Sequence, residues 1–314
     1  MKRELVAIGD INWDTILAVP RIPGPDEEVE LLSLREVPGG DATNVAVAFA
    51  RLGGRTGMIG AVGTDSAGRS LRAHLAASGV DTRRVLTVEG PSGRAFSLVE
   101  PNGVRRLLYT RGASARRSLT ADDLTYLEDA EWLYVADPLP STVETLGEWY
   151  RASGRLPRLV LDPGSAGAGK GMDYFSPLFP FLSVLLLNEG EARTLTARGD
   201  LDGAVDFLRE RCALVVVKRG EHGALVAGRS EVFTAPSFPV RAVDTTGCGD
   251  AFNAAFLLAL TRGMSLREAA RWGNAAGALV AQRTGAYAPT HAELKEFLSR
   301  QGGEVGWEDP ACGN

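Results

Sequence analysis

Along most of the chain, short β-rich apolar runs alternate with longer stretches whose apolar residues recur at helical spacing. That rhythm is the footprint of βαβ units around a mainly parallel sheet. It predicts strands over Leu5–Ile8, Gly57–Val62, Trp132–Ala136, Leu159–Asp162, Val184–Asn188, Leu214–Lys218 and Ala224–Ala227. Helices are expected in the gaps. Ala42–Leu52 is apolar on most sides and should be buried, and another buried helix starts beside Asp250 and runs to Arg262, with Gly263 as its terminator. Capping boxes Ser265-x-x-Glu268 and Thr290-x-x-Glu293 open helices over Ser265–Gln282 and Thr290–Arg300. Two segments break the rhythm. Glu28–Val37 and Arg94–Thr110 read as extended, the second about a Pro101-Asn102-Gly103 turn, and neither has a crossover helix beside it. They predict a small β lid. Gly302 to Asn314 reads as a loosely ordered tail.

Composition narrows the class. The 314 residues, 45% of them hydrophobic, suffice for a substantial globular core. A net charge of −5 argues for solubility and against nucleic acid or an anionic membrane as partner. The apolar runs fall well short of the roughly 20 residues a membrane helix needs. The chain enters its first strand without a signal peptide, so a cytoplasmic location is expected. Cys212, Cys248 and Cys312 are scattered, as reduced thiols are, and His74, His222 and His291 lack metal-site or triad spacing and are expected at the surface.

Chemistry concentrates in Asp244-Thr245-Thr246-Gly247-Cys248-Gly249-Asp250, leading into an apolar helix. Gly247, Cys248 and Gly249 would aim backbone N–H groups at an anion, helped by the positive end of the helix dipole. Asp250, in the first turn, could take the proton of a substrate hydroxyl during phosphoryl transfer, for which an ordinary carboxylate pKa of about 4 suffices. By itself the same stretch would serve as a helix cap and a tight turn. A second block, Gly39-Gly40-Asp41-Ala42-Thr43-Asn44, allows close backbone approach to a polyol, with Asn44 as donor and acceptor for hydroxyls. Gly164 to Lys170 matches most of a P-loop, but Gly171 stands where Ser or Thr must hold magnesium; a glycine-rich loop is the better reading.

The two blocks, in this order, resemble the motifs of the ribokinase-like, or phosphofructokinase B, family of carbohydrate kinases, with Cys248 where a small Ala or Gly is usual. The resemblance implies a three-layer α/β/α domain over residues 1–302, with lid segments at approximately 12–38 and 94–112 and a tail at 303–314. It implies an ATP- and Mg2+-dependent kinase acting on a sugar or sugar-like molecule, with Asp250 as base. Asn12, Asp14, Gly39, Gly40, Asp41 and Asn44 would hold sugar hydroxyls, and Asp137, after its strand, could add a carboxylate that favours a neutral polyol. Asn188 and Glu191 resemble an Asn-x-x-Glu motif holding magnesium-bound water; Lys218, Gly220 and Gly223 resemble the nucleotide loop; Asn274 and Ala278 would flank adenine. A potassium site beside the anion hole would use Asp244, the Thr246 carbonyl and carbonyls near Val280, Arg283 and Gly285, and the lid could mediate a homodimer.

Substrate identity stays open at this level. Asp41 replaces the Lys typical of ribokinases, and Asp162-Pro163-Gly164-Ser165-Ala166 replaces the Asp-Pro-Asn-x-Arg of fructokinases. A nucleoside kinase, with Trp13 and Tyr109 as stacking platforms, an acidic sugar as substrate, and a sugar sensor without chemistry are the alternatives. Cys248 either has its pKa lowered by the helix dipole, against the opposing charge of Asp250, giving a modestly reactive thiol, or is inert packing.

Overall fold

Successive residues of the strand Arg3–Ile8 feed opposite faces of a sheet: Leu5 and Ala7 join one buried cluster, Val6 and Ile8 another. The same division recurs in Leu182–Asn188, with Val184 and Leu186 on one side and Leu185 and Leu187 on the other. Both faces are apolar, as a mainly parallel sheet covered by helices requires. Asp41–Arg51, Cys248–Thr261 and Leu266–Ala281 cover one face; Pro140–Ala152, Glu189–Thr196 and Leu201–Arg209 cover the other.

The computed structural model describes residues 2–101, 105–153, 156–283, 285 and 287–302. Its nine-stranded sheet runs in the order Val232–Ala235, Ala224–Gly228, Leu214–Lys218, Leu182–Asn188, Arg158–Asp162, Ala130–Ala136, Arg3–Ile8, Thr56–Gly63, Asp81–Val88. Every pairing is parallel except those of Ala224–Gly228, which is antiparallel to both neighbours. A separate four-stranded sheet has the order Ser33–Gly39, Asn12–Ala18, Gly93–Val99, Arg105–Thr110. The molecule is thus a three-layer α/β/α domain with a small second sheet. Among the described residues no helix is long and apolar enough to cross a membrane.

Both capping boxes form as expected, Ser265 with Glu268 and Thr290 with Glu293. The strands Asp81–Val88 and Val232–Ala235 have no counterpart in the expectation, and Asn12–Ala18 is expected only as part of the lid segment at approximately 12–38. Each leaves several side chains partly at water, so its apolar signal is diluted. The first strand ends at Ile8 as expected, and Asn12 already belongs to the small sheet. Within Glu28–Val37 only the part from Ser33 onward is a strand, and Arg94–Thr110 resolves into two antiparallel strands. Where a loop is expected after Asp162, a five-residue helix forms at Gly164–Ala168. His74 and His291 are partly buried, and only His222 is exposed as expected. Asn102 and Gly103 of the expected turn, residues 303–314 and Cys312 lie outside the described residues.

Candidate active site

Gly247, in a left-handed conformation at φ 78°, turns the chain into the helix Cys248–Thr261, whose residues Ala251 to Ala259 are all buried. A helix apolar on every side can only sit inside, so its N-terminus is held rigidly where the cleft opens. Asp250 lies in that first turn, and its Oδ2 accepts from the Asn44 amide Nδ2 at 2.9 Å. Burial raises the Asp250 pKa to about 6; the hydrogen bond from Asn44 and the charge of Lys218 oppose the rise, and the charges of Asp162 and Glu191 add to it. The ordinary value expected from sequence is therefore corrected upward.

Behind Asp250 stands a buried polar network. Lys218 Nζ lies 3.1 Å from Asp162 Oδ2, which also accepts from Asn253 Nδ2 at 2.8 Å and from the Tyr134 hydroxyl at 3.2 Å. The Gly164 amide donates to the other Asp162 oxygen at 3.1 Å. Burial alone would lower the Lys218 pKa, but the carboxylates of Asp162, Glu191 and Asp250 outweigh it and raise it, keeping the ammonium charged. A Cβ added at Gly249 would lie 3.5 Å from Lys218 Nζ, so the ammonium faces the glycine turn. Of the expected anion-hole amides, that of Cys248 is turned back onto the Thr245 carbonyl at 3.3 Å, which leaves Gly247 and Gly249.

Beneath the small sheet, Asn12 Oδ1 and Asp14 Oδ1 are buried acceptors without a hydrogen-bond donor among the described residues. Burial, then the charge of Asp250, raises the Asp14 pKa to about 6, with Arg105 opposing. The glycine pair is explained by neighbours: a Cβ at Gly39 would come within 2.1 Å of Asp14 Oδ2, and one at Gly40, where φ is 99°, within 2.4 Å of the Asp10 carbonyl. Asp41 opens onto the cleft, where the surrounding protein and then the charges of Asp250 and Asp162 raise its pKa well above the usual range. Asp137 stands differently from its expected role. It pairs with Arg111, which also reaches Asp10 Oδ1 at 3.2 Å, and Lys170 is 3.7 Å away. With its charge balanced, Asp137 loses the physical basis for favouring a neutral substrate.

On the opposite side, Asn188 and Glu191 form a reciprocal capping box, the Glu191 Oε2 accepting from the Asn188 amide at 2.8 Å and Oε1 from Ser165 at 3.1 Å. Lys218 ends its strand, and Gly220 and Gly223 (φ 55° and 81°) make the turn beyond. Asn274 donates to the Ala235 and Pro236 carbonyls at 3.1 and 2.9 Å, so its amide ties helix to loop, and Ala278 is a small buried position on the same helix. Asp244 accepts from the Thr246 and Gly285 amides at 2.8 and 2.9 Å, and the Val280 carbonyl accepts from Arg283 at 2.9 Å, which brings these segments together. Burial, then the charges of Asp244 and Asp250, pushes the Cys248 thiol up to about 12, which favours inert packing over the alternative of a thiol activated by the helix dipole.

Sequence reasoning missed Asp162 as the hub of the network, Asn253 and Tyr134 as its partners, and Arg105, whose Nη1 reaches Thr246 Oγ1 at 3.5 Å from the small sheet. Asn253 carried a signal: it follows Asp250 by three residues on one helix face. Tyr134 and Arg105 carried none.

A family model described as pfkB family carbohydrate kinase matches residues 2–293. The chain is 32% identical over 302 residues to the ATP-dependent ribose-1-phosphate kinase of Halopiger xanaduensis, covering 95% of this chain and 99% of that protein. It is similar to the crystal structure of ribokinase from Thermotoga maritima, with a TM-score of 0.83, 28% identity, and 95% and 99% of the two chains covered. The structure of Arabidopsis thaliana ribokinase complexed with ribose and ATP matches with a TM-score of 0.80 and 25% identity over 95% and 99%. With its fold and its motifs in place, the chain belongs to the pfkB family of carbohydrate kinases, phosphotransferases with an alcohol group as acceptor.

Proposed function

We propose that this protein transfers the γ-phosphoryl group of ATP to a hydroxyl of a sugar or sugar-like molecule, with Asp250 taking the hydroxyl proton. The observation that carries this is the placement of Asp250: on a rigid helix N-terminus, fixed by Asn44 from the other motif, beside a charged lysine and the glycine turn. With a pKa of about 6 the carboxylate is ionised at neutral pH yet more basic than an ordinary Asp, which suits a general base. The donorless oxygens of Asn12 and Asp14 await hydroxyl donors, which a polyol has in abundance. Phosphates would meet the Gly247 and Gly249 amides and Lys218.

Magnesium fits the cleft. Asp41, Glu191 and Asp250 are hard oxygen donors whose pKa values burial and mutual charge raise, and a cation would relieve that repulsion. Held by the phosphates and by water on Glu191, it would offset phosphate charge. A potassium ion is proposed where Asp244, Thr246, Val280, Arg283 and Gly285 converge. Leu34 and Leu108, which the strand register puts on one face of the small sheet, are 56 and 62% exposed, and we assign them to contact with a second copy of the chain. Leu108→Asp should then give a smaller particle in light scattering.

The test is an ATP-consumption panel over pentoses, hexoses, inositols, sugar acids and nucleosides, with products read by phosphorus NMR. Expected is a phosphorylated acceptor with wild type and none with Asp250→Asn. Folded wild type that binds ATP and phosphorylates nothing would sink the reading.

A further inference from the structure

Beside Asp250 lies a cavity of about 290 Å³. One wall is a single face of the helix Asp41–Arg51: Asn44, Val47, Ala48 and Arg51 recur at helical spacing and all line it. Asn44 holds Asp250 at one end. Arg51 stands two turns on, about 10 Å along the axis at the usual helical rise. Its guanidinium is 5.9 Å from the ring centroid of Tyr287 and has no ion pair with a carboxylate among the described residues. His74 shares the lining and stands close enough to Arg51 to feel its charge. Apart from Asp250, no carboxylate lines the cavity among the described residues.

From this arrangement we infer that the acceptor is an anionic sugar whose hydroxyl meets Asp250 while its phosphate or carboxylate is received by Arg51, with a ring N–H of His74 as second donor. The inference rests on the reading of Asp250 as base. At the transfer end, desolvation and then the charge of Asp250 raise the Asp14 and Asp41 pKa values, and an anionic substituent would meet the same concentration of carboxylates there. Two helical turns away the balance of charge is reversed. A guanidinium without a carboxylate partner offers paired donors in the geometry that phosphate and carboxylate share. Burial and then Arg51 lower the His74 pKa, so its ring is neutral at pH 7 and supplies one N–H. The volume lies at the small end of the range for ligand pockets, roughly 300 to 1,000 Å³, which suits a monosaccharide derivative.

Steady-state kinetics with three acceptors at fixed ATP provide the test: a pentose, its phosphomonoester and the corresponding sugar acid. Expected is a kcat/KM at least tenfold higher for an anionic acceptor than for the neutral pentose, the better of the two identifying the anion. Arg51→Gln should remove most of that preference through KM for the acceptor, with KM for ATP unmoved, and Arg51→Lys should restore part of it. Raising ionic strength should erode the preference in wild type. A kcat/KM for the neutral pentose equal to or above that for both anions, or an equal loss for all three in Arg51→Gln, overturns the inference and leaves the kinase reading standing. Transfer to none of the three, nor to any member of the wider panel, overturns both.

Discussion

The amide of Asn44 and the carboxylate of Asp250, 206 residues apart in sequence, meet at 2.9 Å. One sits in the helix that leaves the double-glycine turn, the other in the first turn of the buried helix beyond Gly247. Their bond is the point at which the proposed sugar side and phosphate side become one site. Because the donor favours the ionised carboxylate, it also restrains a pKa that burial would drive higher.

Asn44→Ala should therefore raise the Asp250 pKa above its value of about 6 and move the acid limb of the kcat/KM profile to higher pH. Turnover at neutral pH should fall by roughly tenfold as orientation is lost. An acid limb that stays in place would show that another group governs it.

Asp250→Asn should cut turnover by at least about a hundredfold, the scale of one general base. It should also stabilise the fold. The folded pKa of about 6 exceeds the reference value of 3.8, so the folded chain holds the proton more tightly than the unfolded one, and stability falls as pH rises through that window. Removing the charge should raise stability at pH 7.5 by on the order of 1 kcal/mol, seen as a Tm above that of wild type, and leave Tm unchanged near pH 3. A Tm for the variant equal to that of wild type at pH 7.5 as well as at pH 3 would show that the buried charge costs the fold nothing.

Cys248 should resist alkylation at pH 8, since its thiol is pushed up to about 12, and Cys212, raised to about 11 chiefly by burial, should resist as well. Mass spectrometry after a small alkylating reagent should find neither labelled while the native fold persists. Rapid label on Cys248, slowed by ATP, would restore the role of the helix dipole.

Gly40→Ala forces a φ of 99° on an L-residue and sets its Cβ 2.4 Å from the Asp10 carbonyl. A loss of about 1–3 kcal/mol is expected in denaturant titration. Gly285→Ala, at φ 82° but with no atom of the described residues within 4 Å of the added carbon, should cost less, about 1 kcal/mol. Equal losses would place the effect in backbone conformation rather than in the packing of the double-glycine turn.

The α/β rhythm, the buried helices and the capping boxes at Ser265 and Thr290 were legible in the chain because each is written in neighbours a few residues apart. So was the place of Asp250 in the first turn of a buried helix, since a glycine turn entering an apolar helix is a local pattern. The strand Asn12–Ala18 was not legible, because one face of the small sheet lies partly at water and its apolar alternation is broken. Nor was the state of charge at any position. For the thiol of Cys248 the sequence left two readings, a pKa lowered by the helix dipole or inert packing, and burial with the charges of Asp244 and Asp250 favours the second. Asp137 looked like a free carboxylate until Arg111 arrived from 26 residues upstream to balance it. Asp162 looked like a strand end until Lys218, Asn253 and Tyr134 closed around it. Sequence alone determined which residue types were present and on what element most of them would stand. The tertiary structure decided their ionisation and partners, because both depend on how much water is excluded and which charges lie within a few ångströms, quantities that exist only once distant segments have packed.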